Sequence, residues 1–399
     1  MYGIIDSNKT IFVWRNEILF SVPGTHTIQR NRAHIYHTFI PKSLSDGVNI
    51  KTDEELTMLL SKAHRLLGLL EGMSRFIENI DVIELILMKK EALLSCQIDG
   101  STATFGDILY PFKKKNKHVK ETLNCVDAIE NGKKKIKNDG YSNRLLCDLY
   151  KILMADENKE TGECYRKIQL FDIPGVFVAD IETYNPTAPE DIQNTMDDLE
   201  KYIKTKQDID VLIKIALTIY QFVTISPFEI GNKKMGSLLI GQLLQDSKIL
   251  SRQLLCYSDF IILDKIGFYD RLSAVRFSGN YIQWVKHFLK GIIFSSEKAI
   301  DTVNKLVTLK EQNRKKILAS GKADIIYIKL LDCLEQNPMI NIKNTAACIG
   351  FSYNTVAKAV YNMEALRIIK QSNNLSRNRC YAYQQYLDIL FGCRMNDLE

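Results

Sequence analysis

From about residue 52 onward, apolar positions recur mostly with the 3.6-residue period of α-helices, and only short runs carry the two-residue period of strands. The stretch "TDEELTMLLSKAHRLLGLLEGM" (52–73) opens with an acidic first turn and continues at helical spacing. "DVIELILMKKEALLSCQI" (81–98) predicts a second helix that stops at Asp99-Gly100. Further helices are expected at about 189–203, 208–225, 232–246, 267–276 and 281–299, with a polar one near 300–318. The segment "IDVLIKIALTIYQFVTI" (209–225) is apolar on nearly every side, which predicts a helix buried all round.

Two β-leaning runs, "TIFVW" and "ILFSV", suggest an N-terminal hairpin within residues 1–40. A stronger hairpin pattern is "GECYRKIQLFDIPGVFVADIETY" (162–184), with Pro174-Gly175 as its turn. The lysine-rich stretches "PFKKKNKHVK" and "NGKKKIKNDG" read as solvated surface on either side of a short helix. After a break at "ASGKAD" (319–324) come a helix, "IIYIKLLDCLEQN", then "IKNTAACIG-FSY-NTVAKAVYNMEALRI", a helix, a glycine turn and a longer helix. Two strands, "IIKQSN" and "RCYAYQQY", follow around a polar loop, the order of a winged helix-turn-helix. The expected fold class is mainly α. Its parts are an N-terminal extension (1–40), a helical region (41–140), a helical core with the hairpin (141–305), a linker (306–322) and the winged module (323–399).

Composition narrows the class only a little. The 399 residues are 46% apolar and 25% charged, as in ordinary globular proteins, and the net charge of +6 is spread along the length. None of the nine cysteines forms a C-x-x-C pair, and their number is odd; reduced thiols are expected rather than disulfides or zinc ligands. The first residues lack the basic and apolar regions of a signal peptide, and no apolar run approaches the roughly 20 residues that span a bilayer. A cytoplasmic protein without a membrane partner is expected.

Candidate chemistry concentrates in "QFVTISPFEIGNKKMGSLLI" (221–240). A helix ends before Pro227, a tight turn passes Gly231-Asn232, and a second helix begins behind two lysines. Free N–H groups and the positive end of the dipole make such a helix start an anion site. At this point the sequence resembles the Fic (Fido) family, whose members transfer AMP from ATP to a protein hydroxyl. The resemblance runs from about residue 36 to 390. It rests on "FIPKSL", "AHRLLGLLEG", "KKEALLSCQIDGSTATFGDIL", "GECYRKIQ", "YNPTAPEDIQNTMDDLEKYI" and the C-terminal module, in order. Within it, Ser95, Asp99 and Gly100 align with the family's S-x-x-x-E-G inhibitory helix.

The family motif is H-x-F-x-[DE]-G-N-G-R-x-x-R. This chain keeps Phe228, Gly231 and Asn232, but has Ser226 for the histidine and Ile230 for the acid. Lys233, Lys234 and Ser237 replace the second glycine and the two arginines. By this resemblance Ser226 and Ile230 hold the catalytic positions, and Gly231, Asn232, Lys233, Lys234 and Ser237 the nucleotide-binding ones. The chemistry of each change is adverse. Serine is not a base near neutral pH, and a general base supplies roughly 10²–10⁴ in rate. Isoleucine offers no oxygen to Mg²⁺. Lysine replaces a planar arginine fork only as a point charge. Lys233 resembles the Doc branch, with its kinase-like chemistry, although Doc-like proteins keep the histidine. No metal site is expected, ATP and Mg²⁺ are weak cofactor candidates, and none of the six histidines stands out as a substitute base.

The family's flap hairpin docks its target by strand addition, so 169–184 is the candidate site for a protein partner. In the C-terminal module, Ser352, Tyr353, Asn354, Thr355, Lys358, Arg377 and Arg379 are the candidate DNA contacts. Between 324 and 391, seven Lys/Arg against five Asp/Glu leave a net +2, a modest basic face, and a protein-interaction module is the alternative. Two functional classes remain open. One is a non-catalytic regulator or scaffold that binds protein, nucleotide or DNA. The other is an enzyme with residual or altered nucleotidyl or phosphoryl transfer.

Overall fold

The structure is a computed structural model that describes residues 4–6, 9–11, 24–30, 35–48, 50–109, 116–155, 164–171, 185–206, 208–321, 324–373 and 379–391. Helices α1 (Glu54–Phe76), α2 (Ile80–Ile98), α3 (Phe105–Leu109), α4 (Lys117–Asp139) and α5 (Asn143–Leu153) come first. They are followed by α6 (Ile192–Lys204), α7 (Val211–Ile225), α8 (Asn232–Asp246), α9 (Ser258–Leu263), α10 (Lys265–Ser278) and α11 (Tyr281–Ala319). The fold is mainly α.

Helix α7 lies at the centre, as its all-round apolar sequence predicts: Leu212, Ala216, Tyr220, Phe222 and Ile225 are fully enclosed. Trp284 of α11 donates its indole N–H to the Ala216 carbonyl at 2.7 Å, so even the polar edge of that ring is paired in the core. Helix α8 packs on α7, and α4 lies against α8 so closely that Gly132 leaves no room for a side chain beside Gln242. Side-chain caps set where helices begin. Asp53 accepts the Leu56 N–H at 2.8 Å, Asn116 that of Val119 at 2.9 Å, and Asp210 that of Leu212 at 2.8 Å.

Buried charges pin α2 to α9 and the segment before it. Glu84 accepts the Gln253 N–H at 2.8 Å, and Glu91 accepts the Ser258 hydroxyl at 2.7 Å. Lys90 meets Asp259 at 2.8 Å, and Asp259 also holds Lys298 of α11 at 2.6 Å. Desolvation raises the Glu91 carboxyl to about 7.

Several local expectations change. Strand β1 (Ile4–Asp6) pairs antiparallel with β2 (Lys9–Ile11), and β3 (Gly24–Arg30) with β4 (Ile35–Pro41); most of the hairpin expected from "TIFVW" and "ILFSV" lies outside the described residues. The second lysine-rich stretch, expected to flank a short helix, is instead the end of α4: Gly132 and Ile136 face the core, Lys134 and Lys137 face outward, and Lys133 reaches the buried Glu84 of α2. Residues 306–319, which read as a linker, continue α11. Leu306, Leu309, Asn313 and Ile317 form a buried stripe there, and Asn313 donates to the Tyr383 hydroxyl at 2.7 Å. The thiols are not all reduced: Cys147 of α5 is bonded to Cys164, with Cα atoms 5.6 Å apart, inside the span a disulfide bridges. Among the described cysteines the other six are free.

The C-terminal elements are α12 (Ile325–Gln336), β5 (Met339–Asn341), α13 (Ile342–Ile349), α14 (Tyr353–Ala365), β6 (Lys370–Gln371), β7 (Cys380–Ala382) and α15 (Gln384–Phe391). Strands β5, β7 and β6 form one antiparallel sheet in that order. The expected strand "RCYAYQQY" is strand only to Ala382; Tyr386, Leu387 and Leu390 then recur at helical spacing and are buried as α15. Phe391 ends α15 against the Phe105 ring, with centroids 4.4 Å apart.

Candidate functional site

The α7–α8 turn is built by its own side chains. Ser226 ends α7 in the left-handed region (φ 47°), a conformation that strains a non-glycine residue. Its N–H reaches the Phe222 carbonyl at 2.9 Å, and its hydroxyl donates to the Val223 carbonyl at 2.7 Å. Arg166 secures the strained turn: its Nε donates to the Ser226 carbonyl at 2.8 Å, Nη2 to the Ile225 and Thr187 carbonyls, and Nη1 to Ile168 at 2.8 Å. Its own N–H reaches the Pro227 carbonyl at 2.9 Å. Desolvation lowers this guanidinium to about 10, still charged at neutral pH.

Phe228 is fully buried and stacks on Tyr150, with ring centroids 4.0 Å apart. Asn232 closes the loop beyond it: Oδ1 accepts the Phe228 N–H at 2.9 Å, and Nδ2 donates to the Phe228 carbonyl at 2.7 Å. Gly231 precedes α8 at φ 78°, where a side chain is disfavoured, and provides no side-chain cap. The first N–H groups of α8 face the space beyond the turn, and the Asp99 carboxylate at the end of α2 accepts that of Lys234.

That space is a cavity of about 450 Å³ between the end of α2, the first turn of α4, the α7–α8 turn and α10. Every residue aligned with the changed motif positions lines it: Ser226, Ile230, Lys233, Lys234 and Ser237, along with Gly231, Asn232, Asp99 and Gly100. Ser95 does not; it is buried behind, its hydroxyl on the Ala92 carbonyl at 2.9 Å. Apolar walls come from Ile98, Leu153, Val223, Ile240 and Phe268. Three carboxylates (Asp99, Glu121, Glu229) face three lysines (Lys117, Lys233, Lys234), with His118 among them. The Lys233 ammonium lies 5.6 Å from the Tyr269 ring centroid. Ser237 is 4% exposed, and its hydroxyl finds no partner.

Asp99 borders solvent, yet the surrounding wall desolvates its carboxyl enough to raise it, against the pull of Lys234 and Lys233. Ser237 offers Asp99 no charge, but the two lysines do. Of the six histidines, His118 is the one among the described residues that lines the same cavity as Ser226. Sequence reasoning also missed Glu229, one position before Ile230 and turned into the cavity, and Glu121. Only Glu229 carried a signal, its place inside the motif.

Residues 57–134 match the family model described as Fic/DOC family N-terminal, and residues 141–244 match that of the Fic/DOC family. The chain contains a Fic/DOC family domain preceded by the family's N-terminal region. A solved Fic family protein from Desulfovibrio desulfuricans G20 is 15% identical, with a TM-score of 0.54 over 84% of this chain and 97% of its own. It shares the Fic fold. A Fic domain-containing signalling protein from Bacteroides thetaiotaomicron VPI-5482 gives 19% identity and a TM-score of 0.46, covering 62% of this chain and 96% of that one. Fic-1 from C. elegans gives 15% and 0.47, covering 61% and 71%.

Two candidate interfaces lie elsewhere. Of the flap segment 169–184, residues 172–184 lie outside the described residues; just before them Ile168 and Phe171 are more than half exposed. On α14, Ser352 caps the helix by accepting the Thr355 N–H at 3.2 Å. Val356, Ala359, Val360 and Met363 are buried, leaving Tyr353, Asn354, Thr355, Lys358 and Tyr361 on the open face. Arg379 directly precedes β7, and Arg377 is outside the described residues. Among the described residues, no helix is long and apolar enough to cross a membrane, and no group of three or more His, Cys, Asp or Glu gathers as a metal site.

Proposed function

We propose that this Fic-fold protein is a non-catalytic regulator or scaffold whose motif pocket binds an anionic ligand such as a nucleotide without transferring AMP. One observation carries the reading. At the position of the family histidine, the Ser226 hydroxyl is spent on the Val223 carbonyl and serves to end α7. Ile230 at the metal-ligand position gives no oxygen, so the motif itself does not fit Mg²⁺; the cavity's carboxylates come from Glu229, Asp99 and Glu121. What supports binding is the positive end of α8 beside the Lys234 N–H that Asp99 takes, two lysines and the unpartnered Ser237 hydroxyl.

The experiment is repair. Ser226→His alone restores no transfer, whereas combining it with Ile230→Asp, Lys233→Gly, Lys234→Arg and Ser237→Arg restores it. Full activity from the single change would show that the other losses matter little.

The second reading, altered nucleotidyl or phosphoryl transfer to a protein hydroxyl, draws on His118, a histidine from α4, and Glu229, an acid at a variable position of the motif, both lining the cavity. Substituting either would then abolish any transfer observed. In both readings α12–α15 serve as a winged helix, with the open face of α14 and Arg379 toward DNA, and the 169–184 segment receives a protein partner.

A further inference from the structure

The wall opposite the motif comes from the first turn of α4, and its charges converge on one carboxylate. Glu121 lies 3.8 Å from the Lys117 ammonium, 3.8 Å from His118 Nδ1 and 3.7 Å from the Lys234 ammonium. The Lys117 and His118 contacts lie within one helix, but the Lys234 contact joins two elements. Lys234 is 12% exposed and Glu121 18%, so the pair is largely screened from solvent. No hydrogen bond closes it, and His118 Nδ1 is buried without a partner. Three cationic or proton-donating groups thus surround a negative charge at distances too long for tight bonds. This arrangement can open for a different anion at modest cost.

We propose that Glu121 is an internal counter-ion that holds Lys234 and must give way before a phosphate-bearing ligand takes that lysine. The inference rests on the pocket-binding reading above and adds a residue outside the motif that sets affinity. An incoming phosphate would meet Lys234, the α8 N–H groups other than the one Asp99 accepts, and the Ser237 hydroxyl on one side. Glu121 would then stand across from it as a like charge, while remaining within reach of Lys117 and His118. The competition is electrostatic, in a cavity whose apolar walls weaken screening, so the glutamate matters more than an exposed one would.

The test is calorimetric titration of the full chain with two probes, ATP and inorganic pyrophosphate. Glu121→Gln keeps the shape and removes the charge, and should bind both probes roughly tenfold more tightly than the native protein. In the double variant Glu121→Gln, Lys234→Gln the gain should vanish. Glu130→Gln, the same charge change on the solvent side of α4, should leave both affinities as they are. Equal affinity of Glu121→Gln and native protein would overturn the proposal while leaving the pocket reading intact. So would a gain that survives loss of Lys234, or an equal gain from Glu130→Gln. If neither probe binds any variant, the pocket reading falls and the proposal with it. Thermal melting of each variant verifies that the comparison is between folded proteins.

Discussion

Arg166 holds the strained end of α7, and removing it should loosen the motif turn. The guanidinium serves the carbonyls of Ser226, Ile225, Thr187 and Ile168, and it is 5% exposed. Arg166→Met keeps the apolar stem and strips every donor. Each carbonyl left buried and unpaired costs about 1–3 kcal/mol, but the four share one donor group and Ile168 reaches solvent, so the losses will not add. A total of about 3–4 kcal/mol is expected. For 399 residues the unfolding entropy makes each kcal/mol worth roughly 1–2 °C, so Tm should fall by about 4–6 °C. Arg166→Lys retains the charge but not the fork, and should recover less than half of the loss. The assay is differential scanning calorimetry of native, Met and Lys forms, with ATP titrated into each. A Met variant that melts within 1 °C of the native protein would refute the rivet argument. A Lys variant equal to the native protein would show that charge, not geometry, is what the turn needs.

Three further outcomes are expected. Burial raises the Glu91 carboxyl from 4.5 to about 7, so between those values the folded state holds a proton that the unfolded state releases; stability should therefore fall by about 3 kcal/mol as pH rises through that window, and urea unfolding of Glu91→Gln should show a flatter dependence. Peptide mapping without reductant should recover Cys147 joined to Cys164, and reduction should destabilise the native protein by up to about 3 kcal/mol but not the Cys147→Ser, Cys164→Ser form; recovery of only free thiols at both positions would sink this. Binding of the full chain to genomic DNA should weaken steeply with salt, and Arg377→Ala with Arg379→Ala should lower the slope by about 2, whereas no shift at low salt would leave α12–α15 as a protein-interaction module.

The helices were legible because their apolar positions recur at helical spacing, and α7 announced its central place by having almost no polar face. The motif turn was legible because Phe228, Gly231 and Asn232 remain, each doing local work that any chain making this turn requires. What escaped prediction depends on long-range packing. Glu121 and His118 lie about 110 residues before Lys234, beside a lysine run that reads as surface, and nothing local turns them toward the α7–α8 turn. The Cys147–Cys164 bond joins a helix to a loop at a spacing that matches no motif. The β3–β4 pairing was hidden by polar residues on strands, since Thr27 and Thr38 face each other through their hydroxyls at 2.6 Å. The end of α11 read as a linker because its outer face is densely charged, and the stripe from Leu306 to Ile317 shows only when the buried side is counted alone.

The central claim is that the motif pocket binds without transferring. Its most direct test is incubation of the native protein with α-labelled ATP, with Mg²⁺ or Mn²⁺, alone and with cell lysate as a source of acceptor proteins. No label is expected on this chain or on any added protein, under conditions where the five-fold repaired variant labels readily. Robust incorporation by the native protein, lost on substituting His118 or Glu229, would contradict it and make this an enzyme that rebuilt its chemistry from other walls of the same cavity.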